Sequence, residues 1–451
     1  MRFTLLIPTV TLAACSVATI EPDARVALAE RYGTAAPEAS ETLDLEWWSQ
    51  VGDPQLTRLL AKARDSSPDL RTAAANVLAA RATVAQTGAD LYPGVTGEVS
   101  TTVSDGQGTA RSTSNTGLVD ASWELDLFGR TRAATGADAL RARSEEVSFA
   151  GAYVSLAAEI ADGYVRYRAC RMVEAVYRDA VSSQAQTLRS TEDLVAAGIS
   201  AAADMSLARA NVASSRISLE TQKADCNVIA QTIATAAGMP QSEVRSILSS
   251  GGGLPTARAF KVSSVPADLL RQRPDVVAAE LDFSATLLDV DVAKADLYPS
   301  LTLGGTVTAT DPSSWSFGPA LSLPIFDGGR RRAAVRTANA QALASAESYR
   351  STVFTAVGEV EEALTRLSTA SKNLSNAATL VSEYQAYFDA IDDDWEAGGA
   401  SLLDREEARR QVQSAMITRI TQRESLLRQR IALYKAVGGG WSRRTQTTNG
   451  A

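Results

Sequence analysis

The stretch Ala89-Asp90-Leu91-Tyr92-Pro93 occurs a second time, unchanged, as Ala295-Asp296-Leu297-Tyr298-Pro299. Each copy follows a related landmark, Ser67-Pro68-Asp69-Leu70 in the first half of the chain and Arg273-Pro274-Asp275-Val276 in the second. Both pairs are separated by 206 residues, since 295 − 89 and 274 − 68 give the same number. Self-similarity at a fixed spacing indicates two tandem copies of one structural unit.

The two halves also agree further along the chain, at an offset of 200 residues, as 398 − 198 shows. The matching residues are Gly198, Asp204, Ala208, Arg209, Val212, Ile217 and Gly238 in the first half and Gly398, Asp404, Ala408, Arg409, Val412, Ile417 and Gly438 in the second. We interpret Gly198 and Gly398 as the turns of two antiparallel helical hairpins.

Proline placement predicts long helices in both halves. No proline lies between Pro93 and Pro240, and none follows Pro324, so nothing interrupts the helical hydrogen-bond ladder there. The predicted long helices cover about residues 130–195, 204–237, 329–396 and 404–437. Ordinary globular helices have about three turns, so these lengths suit a coiled coil, a solenoid or a structure that crosses the periplasm. A shorter helix from Asp69 to Asp90 is expected to stack end to end with helix 204–237.

After each Leu-Tyr-Pro motif the apolar period changes from helical to alternating, which predicts strands. The predicted strands cover about 95–103, 118–127, 301–310 and 315–324, and the polar stretches 104–115 and 311–314 are expected to be exposed turns. The alternation fits transmembrane barrel strands of about ten residues, although a soluble half-buried sheet has the same pattern. Four strands cannot close a barrel, which needs about eight, so spanning a membrane would require several copies of the chain.

The N-terminus has the features of an export signal. Met1-Arg2 precedes an apolar run from Phe3 to Leu12, and small residues lead to Cys15. The sequence Leu12-Ala13-Ala14-Cys15 resembles a bacterial lipobox, which makes Cys15 the lipidated first residue of the mature protein. Ser16 stands where an Asp would favour the inner membrane, so the outer membrane is expected. The alternative is an ordinary signal peptide with an incidental cysteine.

Two further cysteines lie at equal distances from the first helical turn. Cys170 and Cys226 are each 28 positions from Gly198, as 198 − 170 and 226 − 198 show. In an antiparallel hairpin this spacing places both thiols at one height on neighbouring helices, and export provides an oxidising compartment. We predict a structural disulfide, the alternative being two unrelated buried cysteines.

Composition excludes several classes of function. The 451 residues carry 44 Lys+Arg against 52 Asp+Glu, a net charge of −8, so there is no basic excess for binding nucleic acid. The chain contains no histidine, which excludes histidine-dependent catalysis and removes the commonest transition-metal ligand. No motif for a nucleophile, a metal or another cofactor is present, so we expect neither a cofactor nor an enzyme.

Several motifs together resemble the TolC superfamily of outer-membrane efflux lipoproteins, closest to its OprM and NodT branch. Besides the two Leu-Tyr-Pro motifs, they are Trp47-Trp48, Gly52-Asp53-Pro54-Gln55-Leu56, Pro68-Asp69-Leu70-Arg71, Trp123-Glu124-Leu125-Asp126-Leu127-Phe128-Gly129 and Leu323-Pro324-Ile325-Phe326-Asp327-Gly328-Gly329. They cover nearly the whole mature chain in the expected order.

The resemblance implies a fold that is mostly α with a membrane β-barrel. Three identical chains would form a twelve-stranded barrel on an α-helical barrel, with an equatorial domain around the middle. Such a channel is a passive exit duct in the outer membrane and extends into the periplasm. It receives substrate from an inner-membrane pump, expected to be of the RND type, through a periplasmic adaptor or membrane fusion protein. Outer-membrane lipid is the remaining expected partner.

The expected domain boundaries follow from these motifs. They are residues 1–14 for the signal peptide, 15–66 for the lipidated N-terminal segment and equatorial helix, 67–240 for repeat 1, 241–272 for an inter-repeat equatorial linker, 273–438 for repeat 2 and 439–451 for a C-terminal tail.

The resemblance also implies a periplasmic gate with a carboxylate-containing constriction. Ser401-Leu402-Leu403-Asp404 resembles that tip, so Asp404 is the first gate candidate and Asp204 the second. The alternative is that each carboxylate only caps its helix. An Arg commonly follows three residues after the gate Asp, but Glu407 stands there and Arg405 lies beside the Asp instead. Asp394, in an acidic run before the turn, is a further candidate.

The main rival from another class is an adaptor or structural lipoprotein whose coiled coil bridges envelope layers without a pore. The strands discriminate between the two hypotheses, because an adaptor needs no amphipathic strands of membrane length in each repeat. A periplasmic enzyme is the third and weakest reading.

Overall fold

The computed structural model describes residues 31–33, 52–106, 109–255, 264–266, 270–310, 312–439 and 441. The predicted signal peptide, its lipidation residue Cys15 and the Trp47-Trp48 motif lie outside the described residues.

The described chain contains eight helices and six strands, in an order that is similar in the two halves. In chain order they are β1 (Arg31–Gly33), α1 (Pro54–Ser66), α2 (Pro68–Ala89), β2 (Gly94–Gly106), β3 (Thr109–Leu125), α3 (Arg130–Ala196), α4 (Ala202–Ala237), α5 (Gln241–Ser249), β4 (Ser264–Pro266), α6 (Pro274–Ala295), β5 (Ser300–Ala309), β6 (Ser314–Ser322), α7 (Arg330–Glu396) and α8 (Leu402–Ala436). None of the described helices has a stretch long and apolar enough to cross a membrane.

The chain divides into two compact units, and the first contains a four-stranded antiparallel sheet in the order β2-β3-β5-β6. Except at Gly106, beyond a register shift, the register pairs odd-numbered residues with odd-numbered residues, for example Val119 with Val307 and Val307 with Trp315. Side chains of alternate residues point to opposite faces of a strand, so the odd-numbered residues share one face. That face carries exposed apolar side chains, among them Val99, Trp315 and Phe317.

The opposite face of the sheet is polar. Its even-numbered positions are mostly Thr and Ser, with three carboxylates at Glu98, Asp120 and Glu124. Thr306 and Ser316 are cross-strand partners on this face, and their hydroxyl oxygens lie 2.8 Å apart. The sheet thus has one apolar and one polar face.

The expected turn at residues 104–115 is wrong. The β2–β3 pairing continues to Ser104 with Ser112, and Gly106 lies opposite Thr109. The stretch is rich in Thr and Ser, and Thr is common in β-strands. A polar composition alone therefore does not indicate a turn. The register shifts between Ser104 and Gly106, so the pairing is irregular near the end of this long hairpin.

The second unit has a helical core built around α3. Its fully buried large side chains include Leu56, Leu59, Ile160, Tyr164 and Ile233. These residues come from α1, α3 and α4, which bury their apolar faces against one another. The stretch predicted as an inter-repeat linker contributes to this core as well, since it contains α5.

A buried polar network ties these elements together. The Tyr164 hydroxyl donates to the Asp53 carboxylate at 2.6 Å, and Asp53 also caps the start of α1. The Arg168 guanidinium donates to the Tyr164 oxygen at 2.9 Å and to the carbonyls of Leu248 and Ser250 at 3.1 and 2.6 Å. Burial and the hydrogen bond to Asp53 raise the pKa of the Tyr164 phenol, so it remains a donor.

Short helices meet end to end at a glycine in each half of the chain. Gly238 ends α4 with a φ of 63°, and a Cβ there would lie 2.6 Å from Pro68 Cδ at the start of α2. Gly438 follows α8 with a φ of 90°, and a Cβ there would lie 3.2 Å from Arg273 Cα, directly before α6. Only glycine combines a left-handed backbone with such a close approach.

Candidate functional site

A tight turn joins each of the two long helices to its shorter partner. Gly198 lies between α3 and α4 with a φ of 74°, and Gly398 lies between α7 and α8 with a φ of 82°. In the second turn the Gly399 N–H donates to the Asp394 carbonyl at 2.8 Å, which closes the end of α7. These two turns, called the tip turns below, contain or adjoin all four predicted gate residues.

Asp404 caps α8. Its carboxylate accepts the Ser401 hydroxyl at 2.6 Å and the Ser401 N–H at 3.2 Å, while the Ser401 hydroxyl accepts the Asp404 N–H. The two hydrogen bonds from Ser401 lower the pKa of Asp404 below its ordinary value of 3.8. The cap is therefore present at neutral pH and is lost only as the pH falls through that lowered pKa. The carboxylate is also exposed.

Asp204 occupies the equivalent place on α4. Its carboxylate accepts the Ala201 N–H at 3.2 Å, but alanine has no hydroxyl with which to return the bond. The first tip turn therefore has the hydrogen bond from the backbone N–H to the carboxylate, but it lacks the hydroxyl bonds that Ser401 makes in the second.

Arg405 does not pair with Asp404. Its guanidinium forms an ion pair with Asp392 on α7 and lies over the Trp395 ring, with Cζ 4.4 Å from the ring centroid. Arg405 also lies 3.7 Å from the Glu406 carboxylate. It thus fastens the start of α8 to the end of α7.

Asp394 lies against the second tip turn. An added Cβ at Gly399 would collide with its carboxylate, so the side chain folds over the turn backbone. No ion pair of Asp394 occurs among the residues that the structure describes. The carboxylate therefore adds uncompensated negative charge beside the turn.

Glu406 is the residue of this region that the sequence interpretation missed. Its side chain is fully buried, with a relative exposure of 1%, and it bonds the Gln184 amide on α3. The Thr187 hydroxyl donates to the same carboxylate at 3.2 Å, and the Arg409 guanidinium lies 3.4 Å from it. A buried carboxylate thus connects α8 to the long helix α3.

Arg409 completes this cluster. Its guanidinium donates to the hydroxyls of Ser183 and Thr187 on α3, the latter at 3.3 Å, and it lies over the Phe388 ring of α7. Burial lowers the pKa of Arg409, and the Glu406 carboxylate opposes that shift. We call Glu406, Arg405, Arg409, Gln184 and Thr187 the tip cluster.

The tip cluster borders a polar cavity of about 510 Å³. Its lining combines serine and threonine hydroxyls with charged and apolar groups, including Asp204, Trp395, Glu396, Leu402, Arg405 and Arg409. No group of three or more potential metal-ligating side chains lies together within the described ranges. The arrangement holds α3, α7 and α8 together through polar contacts.

The signal for Glu406 was present in the apolar period of α8. Val412, Met416 and Ile420 mark one helical face, and steps of three residues toward the N-terminus reach Arg409 and then Glu406. Charged residues that continue an apolar stripe indicate a buried ion pair.

Cys170 and Cys226 form a disulfide between α3 and α4, with their Cα atoms 5.6 Å apart. The Gln222 amide donates to the Cys170 carbonyl at 3.2 Å beside it. The bond closes a long loop that contains the first tip turn.

Replacing Cys226 by serine is expected to lower the free energy of unfolding by about 2–4 kcal/mol, because the unfolded chain loses its cross-link. Chemical denaturation of the wild type with and without reductant, beside the variant, measures this. The reduced wild type should match the variant. Equal stability of all three samples would contradict the bond.

Comparisons with known proteins show the family of the chain. A profile of the family described as outer membrane efflux protein matches residues 59–239 and 265–439. Nodulation protein T of Rhizobium leguminosarum bv. viciae is 30% identical over 443 residues, covering 96% of this chain and 92% of that protein. The solvent efflux pump outer membrane protein SrpC of Pseudomonas putida is 30% identical, covering 91% and 88%.

Solved structures show the same fold. The outer-membrane channel OprN is similar with a TM-score of 0.81 and 30% sequence identity, covering 94% of this chain and 100% of that one. The Campylobacter jejuni CmeC outer membrane channel gives a TM-score of 0.85 at 21% identity, covering 95% and 96%. The mostly helical, TolC-like fold expected from the sequence is therefore confirmed.

Proposed function

Because the chain belongs to the outer membrane efflux protein family, we propose that it is the outer-membrane channel of a tripartite efflux system. It is a passive exit duct for substrates that an inner-membrane pump delivers through a periplasmic adaptor. The observation that supports this proposal most is the combination of an amphipathic sheet with helices of 67 residues in one family fold. No observation favours a coiled-coil lipoprotein without a pore.

The channel is a homotrimer with a twelve-stranded barrel. Each chain contributes four strands, and both β2 and β6 have one edge without a partner in the described sheet. Unpaired edges expose backbone donors and acceptors, which a membrane does not tolerate. Pairing of β6 with β2 of the next copy satisfies both edges and closes the sheet.

Light scattering of the detergent-solubilised protein should give about three times the mass of one 47.5 kDa chain. Refractive index and absorbance signals together separate the mass of the protein from that of the bound detergent. A protein mass equal to one chain, from a preparation with native helix content, would contradict the trimer.

The remaining parts of the proposal concern anchoring and partners. Lipidated Cys15 fixes the chain to the outer membrane, and the helices extend into the periplasm. The adaptor is a membrane fusion protein, and the pump is of the RND type. The matches to efflux proteins over most of the chain support this assignment.

The periplasmic gate lies at the tip turns. Asp404 is its main constriction residue and Asp204 the second, while Arg405 and Asp394 set the local charge. Three exposed Asp404 carboxylates around a symmetry axis attract cations and repel one another. The pairing of Arg405 with Asp392 supports this assignment, since Asp404 then has no neutralising cation among the residues that the structure describes.

Replacing Asp404 by asparagine is expected to reduce cation selectivity severalfold in planar-bilayer recordings, because the charged ring is lost. Ser401→Ala is the matched control, since it removes the hydroxyl of the cap but keeps the carboxylate. If both variants change selectivity equally, or neither does, Asp404 acts only as a helix cap.

A further inference from the structure

Four aromatic side chains mark the points where strands meet helices in the first unit. Tyr92 precedes β2, Phe128 follows β3, Tyr298 precedes β5 and Phe326 follows β6. All four are exposed, Phe326 to 92%. The rings of Phe128 and Tyr298 stack with their centroids 4.8 Å apart. Aromatic residues are enriched at membrane–water boundaries, so these residues place the boundary at the helical end of the strands.

Four arginines follow this boundary on α7, and all but Arg331 are exposed. Arg330, Arg331 and Arg332 begin the helix, and Arg336 lies one turn after Arg332, on the same side. Arg331 lies 3.6 Å from the Asp327 carboxylate, which also attracts Arg330. Arg332 and Arg336 are exposed and form no ion pair with any residue that the structure describes. They present two free cations.

These cations do not stabilise the helix that carries them. The N-terminal end of a helix is the positive end of its dipole, which favours acidic residues there. The first turn of α7 contains no acidic residue. Arg332, in this first turn, is therefore unfavourable for the isolated helix, and an anion outside the chain would offset its charge and that of Arg336, one turn further on.

The start of α3 differs in this respect. Arg130 lies 3.3 Å from the Glu124 carboxylate, and Arg132 lies 3.1 Å from that of Asp126. Both arginines of α3 are thus neutralised within the chain. The free positive charge near the aromatic boundary is concentrated on α7.

The rise along the start of α7 is comparable to the thickness of the headgroup layer of a bilayer. The rise from Arg330 to Arg336 is roughly 9 Å, at about 1.5 Å per residue. The polar layer on each side of a bilayer is roughly 5–8 Å thick. Since α7 begins four residues after Phe326, Arg332 and Arg336 lie within the first two turns beyond the boundary, close to the headgroup layer.

We propose that Arg332 and Arg336 bind the headgroups of anionic phospholipids in the leaflet at the helical end of the strands. This inference rests on the proposed function, since it requires the sheet to span the membrane. A guanidinium matches a phosphate through two parallel hydrogen bonds, and the exposed apolar residues Ile325 and Phe326 meet the acyl chains. The two arginines therefore favour anionic lipids over neutral ones.

Native mass spectrometry of the full-length protein in detergent tests this proposal. The probe is an equimolar mixture of phosphatidylglycerol and phosphatidylcholine with identical acyl chains. The wild type should retain more phosphatidylglycerol, and Arg332→Gln with Arg336→Gln should lower that preference about tenfold. The matched control is Arg216→Gln with Arg245→Gln, which removes two exposed, unpaired arginines elsewhere and should leave the preference unchanged.

Two outcomes would overturn the inference. One is an unchanged preference in the Arg332 and Arg336 variant, and the other is an equal loss in the control. Conductance of the same preparations in planar bilayers separates this inference from the proposed function. A conducting wild type without lipid preference refutes only the lipid surface, whereas a wild type that never conducts refutes the channel.

Discussion

Replacing Glu406 by leucine is expected to destabilise the packing of α8 against α3 by about 3 kcal/mol and, at the proposed gate, to raise the fraction of time that the channel is open. The carboxylate is buried and bonds Gln184 and Thr187 on α3, so its loss disconnects α8 from that helix. Arg409 would remain largely buried without its carboxylate partner. Removing one partner of a buried ion pair costs about 3–5 kcal/mol, and partial exposure of the arginines reduces this.

Glu407→Leu is the matched control for this experiment. Glu407 is the next residue, and its carboxylate pairs with Arg410 on the exposed surface. Exposed ion pairs contribute about 0–1 kcal/mol, so this variant should behave like the wild type. Thermal unfolding in detergent and single-channel open probability measure the two effects. Equal behaviour of the two variants would show that the tip cluster does not hold the helices.

Replacing Gly238 by alanine is expected to have the largest effect on folding, about 3 kcal/mol or more. The backbone there is left-handed, with a φ of 63°, which costs a residue with a Cβ about 1–2 kcal/mol. The new Cβ would also lie 2.6 Å from Pro68 Cδ and 2.7 Å from the Ser66 carbonyl oxygen. Overpacking adds about 1–3 kcal/mol, because neither neighbour is a flexible side-chain end.

Gly198→Ala separates the two contributions. Gly198 has a similar φ of 74°, but a Cβ there would meet nothing within 4 Å. This control should lose only about 1–2 kcal/mol. Denaturant midpoints of the two variants and the wild type give the difference. If the two variants are equally stable, α4 and α2 do not meet at this junction in solution.

The sequence predicted the long helices because proline and glycine mark their limits. The α3 helix begins at Arg130, directly after Gly129, and ends at Ala196, just before Gly198. The strands were harder to delimit. Residues 104–115 are polar and predict a turn, but Thr and Ser continue the β2–β3 pairing there. A polar strand and a polar loop have the same composition.

The candidate site was only partly predictable. The sequence located the tip turns through Gly198 and Gly398, and it selected Asp404 from a family motif. It did not show that Ser401 returns the bond to Asp404, because that depends on turn geometry. Glu406 continues the apolar stripe of α8, which indicates burial, but the stripe does not show what its carboxylate bonds. Its partners on α3 are 222 and 219 residues away in the chain.

Several copies of this chain are expected to form a membrane channel together. Current across a planar lipid bilayer, recorded after addition of the purified full-length protein, measures this most directly. We expect discrete, equal conductance steps with a preference for cations, and an increase in open probability for Glu406→Leu. A folded, membrane-inserted preparation that gives no steps above the lipid background would contradict it.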